Sequence, residues 1–537
     1  MGTVYRMGLM SLGLGISLVV LSWLAVAQAA VTVLHTNDIH CGVGQNLTLA
    51  RVAALKKQLE GEGKAVLLVD AGDAIQGEPL GSLTKGRALV QLLNRAGYDF
   101  AVPGNHEFDY GMDAFLERAR ELKCGYTSCN FLRTDTGRNV LPGYRLFSFK
   151  ERKVALVGVT TPGTLVSSTP RFFQDTQGRF IYGFCEDRTG EKLARQVQKT
   201  VDEARRSGAD TVLLVGHLGS DGVIPEWSSA TLLQRLKGVD GAIDGHSHEV
   251  YVKRVPDRDG TLRPLVQTGT KLQSVGRLVI QEDGTIWATQ VAELPPPEPG
   301  VEKAVAKELA RVDRALSRPV GRSSVELVQE LDGKRAVRTR ETNLTDFLTD
   351  AFRHTFKAQV GLVNGGSIRA GLPRGEWSRK TLMTLFPFGN QAVLRSVTGQ
   401  QLLDALEMGA SLLPEENGGL LHTSGLTYTI DVSLPSGVEL DAKGNFVRIR
   451  GSRRVRDVQV DGKPLDPEED YLVAGPRYIL GDGGNGMTML SGTPLVAEPG
   501  LSDVDVLAAY VRALDGQVGP GYENPRGQGR LRQLTGL

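Results

Sequence analysis

The sequence predicts an α/β protein of two unequal domains. Three observations carry this. Short apolar runs alternate with amphipathic stretches from Val31 to about Gln290. A proline-rich break, ELPPPEPG, follows at Glu293 to Gly300. A second, mixed α/β pattern then runs onward. The length of 537 residues also exceeds what one core holds together.

The first pattern contains VTVLHTND, AVLLVD, DFAVPG, KVALVGVT, DTVLLVGH, GAIDGH and PLVQTG. These read as strands buried on both faces. LARVAALKKQLE and KLARQVQKTVDEARRSG carry apolar residues near 3.6 spacing and read as helices between them. Such alternation predicts sheet covered by helices. The break is a stiff spacer, and VEKAVAKELARVDRAL after it reads as a linker helix. The expected domains are therefore 30–295, a spacer and helix at 296–316, and 317–537. In the second, TNLTDFLTDAFRHTF reads as a helix, LFPFGN as a strand and turn, and GDGGNG as a glycine-rich loop.

Lys and Arg number 62 against 61 Asp and Glu. No global field points to nucleic acid polymers or acidic membranes, and no obligate protein partner is evident. At the start, Arg6 precedes an apolar run from Met7 to Ala27, followed by AQA. This reads as a secretory signal over 1–29, cut after Ala29, with a retained N-terminal anchor as the alternative. Either makes the protein exported: periplasmic, cell-surface or secreted. Export permits disulfides among Cys41, Cys124, Cys129 and Cys185. A Cys124–Cys129 bridge competes with a buried Cys129 thiol in YTSCNF, which reads as a strand.

Polar residues gather just past the strand ends, where open α/β folds bind ligands. Asp38 and His40 form DIH, and their i, i+2 spacing on an extended segment would aim both the same way. Asp73 stands in DAGDAIQG, and Asn105 and His106 in GNHEFD. His217 lies in GHLG, and His246 and His248 in DGHSH. One histidine after a strand is usually a turn. An ordered series with glycine beside each motif points to metal. Mixed imidazole and carboxylate ligands suit Zn, Mn, Fe or Co. The donors exceed what one ion takes, so one carboxylate, best Asp73, would bridge two divalent ions. Such a pair activates water and clamps a phosphoryl group.

HTNDIH, GDAIQG, PGNHEFDYG and DGHSH resemble the 5′-nucleotidase and UDP-sugar hydrolase family, within the calcineurin-like metallophosphoesterases. The resemblance runs through the second domain. It implies a metallophosphoesterase β-sandwich flanked by helices, then a smaller α/β substrate-binding domain. One metal would take Asp38, His40, Asp73 and His248. The other would take Asp73, Asn105, His217 and His246. An amide stands at the position of His248 in some members. His106 would reach the phosphoryl group, and Asp109 would orient it and favour its cation. Glu107 reads as a loop hydrogen-bonder.

The resemblance also assigns Arg340, Asn343, Asn364 and Arg369 to the substrate pocket. Arg340 and Asn343 would sit at a helix start that favours anions. The family stacks a nucleobase between two aromatics. Tyr478 fits one wall, while Leu420 stands where the other is expected. Asn485 replaces the acid of the family's GGDG pattern, with Asp482 nearby. The implied function is release of phosphate from nucleoside 5′-monophosphates, with UDP-sugars or other nucleotides as further substrates. A hinge near the linker helix would carry substrate to the metals. Two other readings are a thiosulfohydrolase-like relative acting on another anion, and a non-catalytic surface binding protein.

Overall fold

The computed structural model describes residues 30–150, 152–220, 224–291 and 293–534. The signal and anchor readings for 1–29 lie outside the described residues. No helix among those described is long and apolar enough to cross a membrane.

The N-terminal strands are β1 (Val31–Thr36), β2 (Ala65–Asp70), β3 (Phe100–Ala101), β4 (Tyr144–Phe149), β5 (Arg152–Thr160), β6 (Thr211–His217), β7 (Gly241–Ile243), β8 (Val250–Pro256), β9 (Leu262–Thr268), β10 (Gly276–Ile280) and β11 (Ile286–Gln290). They form two sheets, ordered β11-β10-β1-β2-β3 and β8-β9-β7-β6-β5-β4. Strand alternation builds the sandwich. Val31, Val33, Leu67, Val69, Leu156 and Val215 share the core between the sheets. Their neighbours Leu34 and Leu68 face one outer helical layer, and Ala155, Val157 and Leu214 face the other. The outer layers include α1 (Leu49–Gly61), α2 (Arg87–Ala96), the short α3 (Thr164–Ser167) and α4 (Glu191–Arg206).

The proline-rich segment packs rather than standing free. Arg51 donates to the Leu294 and Pro295 carbonyls at 2.6 and 3.1 Å. Glu298 caps α5 (Pro299–Leu316) by accepting Val301 N–H at 2.6 Å. Val301, Val305, Val312 and Leu316 of α5 join the first outer core.

The C-terminal domain centres on β12 (Val360–Asn364), β13 (Ala392–Thr398), β14 (Leu421–Ser424), β15 (Asp470–Pro476) and β16 (Leu495–Ala497), ordered β14-β12-β15-β13-β16. Val363 and Ala474 face one apolar core, Leu362 and Val473 the other. Helix α6 (Asn343–Phe356) covers the first face through Leu344, Phe347, Leu348, Ala351 and Phe352.

Three local expectations are corrected. YTSCNF is not a strand. Its backbone bonds alternate between the sheets, Thr127 to Ala101 and Cys129 to Gly158, so no ladder forms. Cys124 and Cys129 are free thiols, as are Cys41 and Cys185. Cys129 packs into one helical layer and Cys124 against the other. LFPFGN is a helix end and a loop. Leu385 closes α7 (Arg379–Leu385), and Pro387 offers no N–H to continue it.

Candidate active site

The metal-ligand candidates converge beyond the ends of β1, β2, β3, β6 and β7. Two groups form: Asp38, His40 and His248, and Asp73, His217 and His246, with ligand atoms within 4.8 Å in each. Asp73 Oδ2 lies 3.0 Å from His217 Nε2 and 3.9 Å from His40 Nε2, so it faces both groups. His248 Nε2 lies 3.3 Å from Asp38 Oδ1 and 3.1 Å from His40 Nε2.

The backbone route differs from the expected extended one. Asp38, His40, Asp73, His246 and His248 have φ of 51°, 46°, 56°, 81° and 62°. Left-handed turns, not strand alternation, aim these side chains. Such backbone costs ~1–2 kcal/mol per residue and collects at functional sites. Glu107 organises the turn at Asp73. Its carboxylate accepts the N–H groups of Asp73, Ala74, Ile75 and Gly104 at 2.8, 2.7, 3.2 and 2.6 Å. Gly104 is required there, since a Cβ would stand 2.2 Å from Asp73 Oδ1.

The residues fit a pair of cations. His40 Nδ1 bonds the Gln76 carbonyl at 2.8 Å and His217 Nδ1 the Ala71 carbonyl at 2.7 Å. Each carbonyl accepts a hydrogen bond from the Nδ1–H, which turns Nε2 inward with its lone pair available to a ligand. Asp38 Oδ1, Asn105 Oδ1 and His217 Nε2 are buried with no hydrogen-bond partner among the described residues. Native proteins rarely leave buried acceptors so. The 3.0 Å contact of His217 to Asp73 lacks hydrogen-bond alignment. Burial disfavours charge on Asp73, but His217 and His106 outweigh it and hold the carboxyl well below its usual range. The pocket thus favours positive charge beside Asp73.

His106 stands apart from these groups, its Nε2 4.0 Å from Asp73 Oδ2. Its Nδ1 bonds Asp109 Oδ2 at 2.6 Å, which leaves Nε2 free to face outward. Burial lowers its basicity, but Asp109 and Asp73 outweigh burial and raise it.

A cavity of about 480 Å³ runs from here into the C-terminal domain. Asn364, Arg369 and Tyr478 line it. Asn364 donates to Gly418 O at 3.0 Å and Asn485 Oδ1 at 3.1 Å. Three expected pocket residues lie elsewhere. Arg340 is exposed outside the lining, on the turn closed by its N–H to Ala336. Asn343 is buried, bonding Val328, Glu326 and Tyr522 backbone. The helix start it was to share with an anion is closed by a Thr342–Thr345 capping box. Leu420 is buried in the C-terminal core.

Arg335 and Arg338 line the cavity instead, with Phe388, Asn390 and Asn485. Phe388 lies 5.4 Å from the His106 ring and 5.5 Å from the Arg369 guanidinium. The RAVR spacing was the available signal, two arginines at i, i+3 just before RETN.

Two family models match this chain: calcineurin-like phosphoesterase over residues 31–250, and 5′-nucleotidase C-terminal domain over 319–492. The snake venom 5′-nucleotidase of Naja atra is 26% identical, across 92% of this chain and 97% of its own. The trifunctional nucleotide phosphoesterase protein YfkN of Bacillus subtilis is 25% identical across 94% of this chain, which spans only 35% of YfkN. The 5′-nucleotidase precursor of Thermus thermophilus superposes with a TM-score of 0.79 at 26% identity, over 95% of this chain and 100% of that one. The sulfate thiohydrolase SoxB of the same organism shares the fold, with a TM-score of 0.72 at 21% identity, over 95% and 97%. Joining a calcineurin-like phosphoesterase domain to a 5′-nucleotidase C-terminal domain, the chain belongs to the 5′-nucleotidase family of metal-dependent phosphoesterases.

Proposed function

We propose that the protein is an exported hydrolase of nucleoside 5′-monophosphates, with UDP-sugars or other nucleotides as further substrates. The carrying observation is one cavity that joins both ligand groups and His106 to Arg335, Arg338, Arg369 and Asn364. Cations on one side and a metal-ligand cluster on the other suit a phosphate bound between them.

Asp38, His40, Asp73 and His248 would hold one ion, and Asp73, Asn105, His217 and His246 the other. Their donors suit Zn, Mn, Fe or Co. When bound, such ions supply Lewis acidity for water activation and charge neutralisation at phosphorus. The chain's own residues do the rest. Arg369, beside Phe388, lies nearest the reacting phosphate. Water adds to phosphorus, the bond to the nucleoside 5′-oxygen breaks, and that oxygen gains a proton. His106 Nε2 faces this path while Asp109 holds Nδ1, which suits it to stabilise charge or give the proton. Arg335, Arg338 and Asn364 grip the nucleotide farther in, beside the Tyr478 ring. A signal over 1–29 would direct the chain outside the cytoplasm, and 30–295, 296–316 and 317–537 are the domains we assign.

A thiosulfohydrolase-like activity is the second reading. It is favoured by the missing second aromatic wall, since Leu420 is withdrawn into the core. The test is phosphate release from AMP, UDP-glucose and cyclic nucleotides by the metal-loaded chain, beside hydrolysis of a protein-bound thiosulfonate. Nucleotide turnover abolished by chelation supports the first reading. Turnover of the thiosulfonate alone selects the second. Metal content near zero would favour a non-catalytic binding protein.

A further inference from the structure

Helix α3 belongs to the N-terminal domain, yet its last carbonyls are held by the other domain. Tyr478 Oη donates to Val166 O at 2.8 Å, with Ser167 O at 3.2 Å. The end of a helix leaves carbonyls without intrahelical partners, and this hydroxyl covers them. The same oxygen accepts the Asn485 N–H at 3.2 Å. Asn485 Oδ1 accepts from Asn364 at 3.1 Å. The cavity wall of the C-terminal domain is thereby bonded to α3.

The residue after α3 is Ser168, only 1% exposed. Its Oγ donates to Asp109 Oδ1 at 2.7 Å. The other oxygen of that carboxylate bonds His106 Nδ1 at 2.6 Å. Holding both oxygens fixes the carboxylate plane, and the plane fixes the imidazole. At its other end, α3 is tied to the metal-ligand strand β6. Thr164 Oγ1 donates to Thr161 O at 2.7 Å, and Thr161 N–H to His217 O at 3.0 Å. Ser168 thus directly follows the carbonyls held by the facing domain's hydroxyl, on a segment anchored to β6 at its start.

We propose that Ser168 is a positioning residue for the His106–Asp109 pair, set by the Tyr478 hydroxyl when the C-terminal domain is docked. The inference rests on the nucleotide reading for its substrate, and on geometry alone for its action at His106. Removing the Ser168 hydroxyl leaves a buried carboxylate oxygen without its donor and lets the carboxylate turn. Removing the Tyr478 hydroxyl releases residues 166–168 at the far end of the same connection. Two groups acting through one carboxylate give losses that do not multiply.

The experiment measures kcat, KM and metal content for Ser168→Ala, Ser168→Thr, Tyr478→Phe and the Ser168→Ala/Tyr478→Phe double variant. Substrates are AMP and p-nitrophenyl phosphate. Ser168→Ala should lower kcat about tenfold on both, with metal content unchanged and KM within about twofold. Ser168→Thr, which keeps the donor, should recover most of the loss. On AMP, Tyr478→Phe should lower kcat, and the double variant should be within about twofold of Ser168→Ala. Wild-type kcat in Ser168→Ala, a threonine variant as slow as alanine, or multiplying losses would each overturn the proposal. Where Ser168→Ala does not fold, Ser168→Cys, of similar size and weaker donor strength, reads the same loss. Turnover of the aryl phosphate without AMP would remove the nucleotide reading and still judge Ser168.

Discussion

Glu107 holds Asp73 by its backbone, accepting the Asp73 N–H at 2.8 Å while three more N–H groups converge on the same carboxylate. A side chain outside both candidate ligand groups thus shapes the turn carrying Asp73. In Glu107→Gln one acceptor oxygen becomes an N–H donor facing other donors. We expect a loss of about 1–3 kcal/mol in stability, seen as a lower Tm. Metal content should fall with it, measured after loading and desalting. Unchanged Tm and unchanged metal content would show that the turn holds its shape without Glu107.

The arginines give the second prediction. Arg335, Arg338 and Arg369 line the cavity, and Arg340 is exposed outside its lining. Charge-assisted contacts contribute about 1.5–3 kcal/mol each. Arg335→Ala and Arg338→Ala should therefore raise KM for AMP about tenfold or more, with a smaller effect on p-nitrophenyl phosphate. Arg340→Ala should stay near wild type, as surface changes usually do. A KM defect in Arg340→Ala equal to that of Arg338→Ala would place Arg340 in the pocket after all.

How far the sequence could be read follows from the same contrast. The candidate-ligand series was legible because its motifs follow strand ends, and Asp73, Asn105, His217 and His246 each come directly after a glycine. The turns that aim these ligands were not legible. The left-handed turn at Asp38 and His40 is held by tertiary bonds, Asp38 N–H to Gly72 O and His40 N–H to Asp73 O, both 2.9 Å. The substrate residues were read only partly. Arginines and asparagines serve caps, buried bonds and ligands alike, and Asn343 went to a buried bond with the Tyr522 carbonyl. Leu420 looked like an aromatic position and is core, because the chain around 417–420 turns it beneath the sheet. The pairing of Asp109 with His106 lies within one motif, but its second attachment, to Ser168, joins residues 59 apart in sequence, too far for any pattern to show it.

The third prediction concerns pH. Burial pushes the Asp503 carboxyl up to about 7, against the backbone N–H bonds from Val504 and Asn390 that favour its charge. The unfolded chain releases this proton near the ordinary value of 3.8. Between the two values the folded state holds a proton that the unfolded state has lost. Stability from this group is therefore full below the lower value and is lost as pH rises through about 7. The slope from one proton is at most about 1.4 kcal/mol per pH unit. Asp503→Asn cannot titrate, so its Tm should change less than that of wild type between acid and neutral pH. Parallel Tm profiles would remove Asp503 as the source. The group also bonds Asn390 N–H at 3.2 Å, so the same variant reports on the loop that carries Phe388.

The last prediction concerns His106. Its Nε2 faces the cavity, and its Nδ1 is held by Asp109. His106→Asn should leave metal content and KM for AMP close to wild type while kcat falls by ~10²–10⁴-fold. Asp109→Asn should act in the same direction but by less, because Asp109 works through the imidazole. The double variant should be little worse than His106→Asn alone, since groups that act as a unit are not additive. The leaving group separates two roles. With p-nitrophenolate, which departs without a proton, the His106→Asn defect should shrink if the imidazole serves as the proton donor. It should persist at full size if the imidazolium stabilises charge at phosphorus. The 4.0 Å separation of His106 Nε2 from Asp73 Oδ2 sets the ring beside the candidate ligands without joining them, so either result is compatible with the site. Loss of bound metal in His106→Asn is not. That outcome would make His106 a ligand, leaving Arg369 as the cationic group nearest the reacting phosphate.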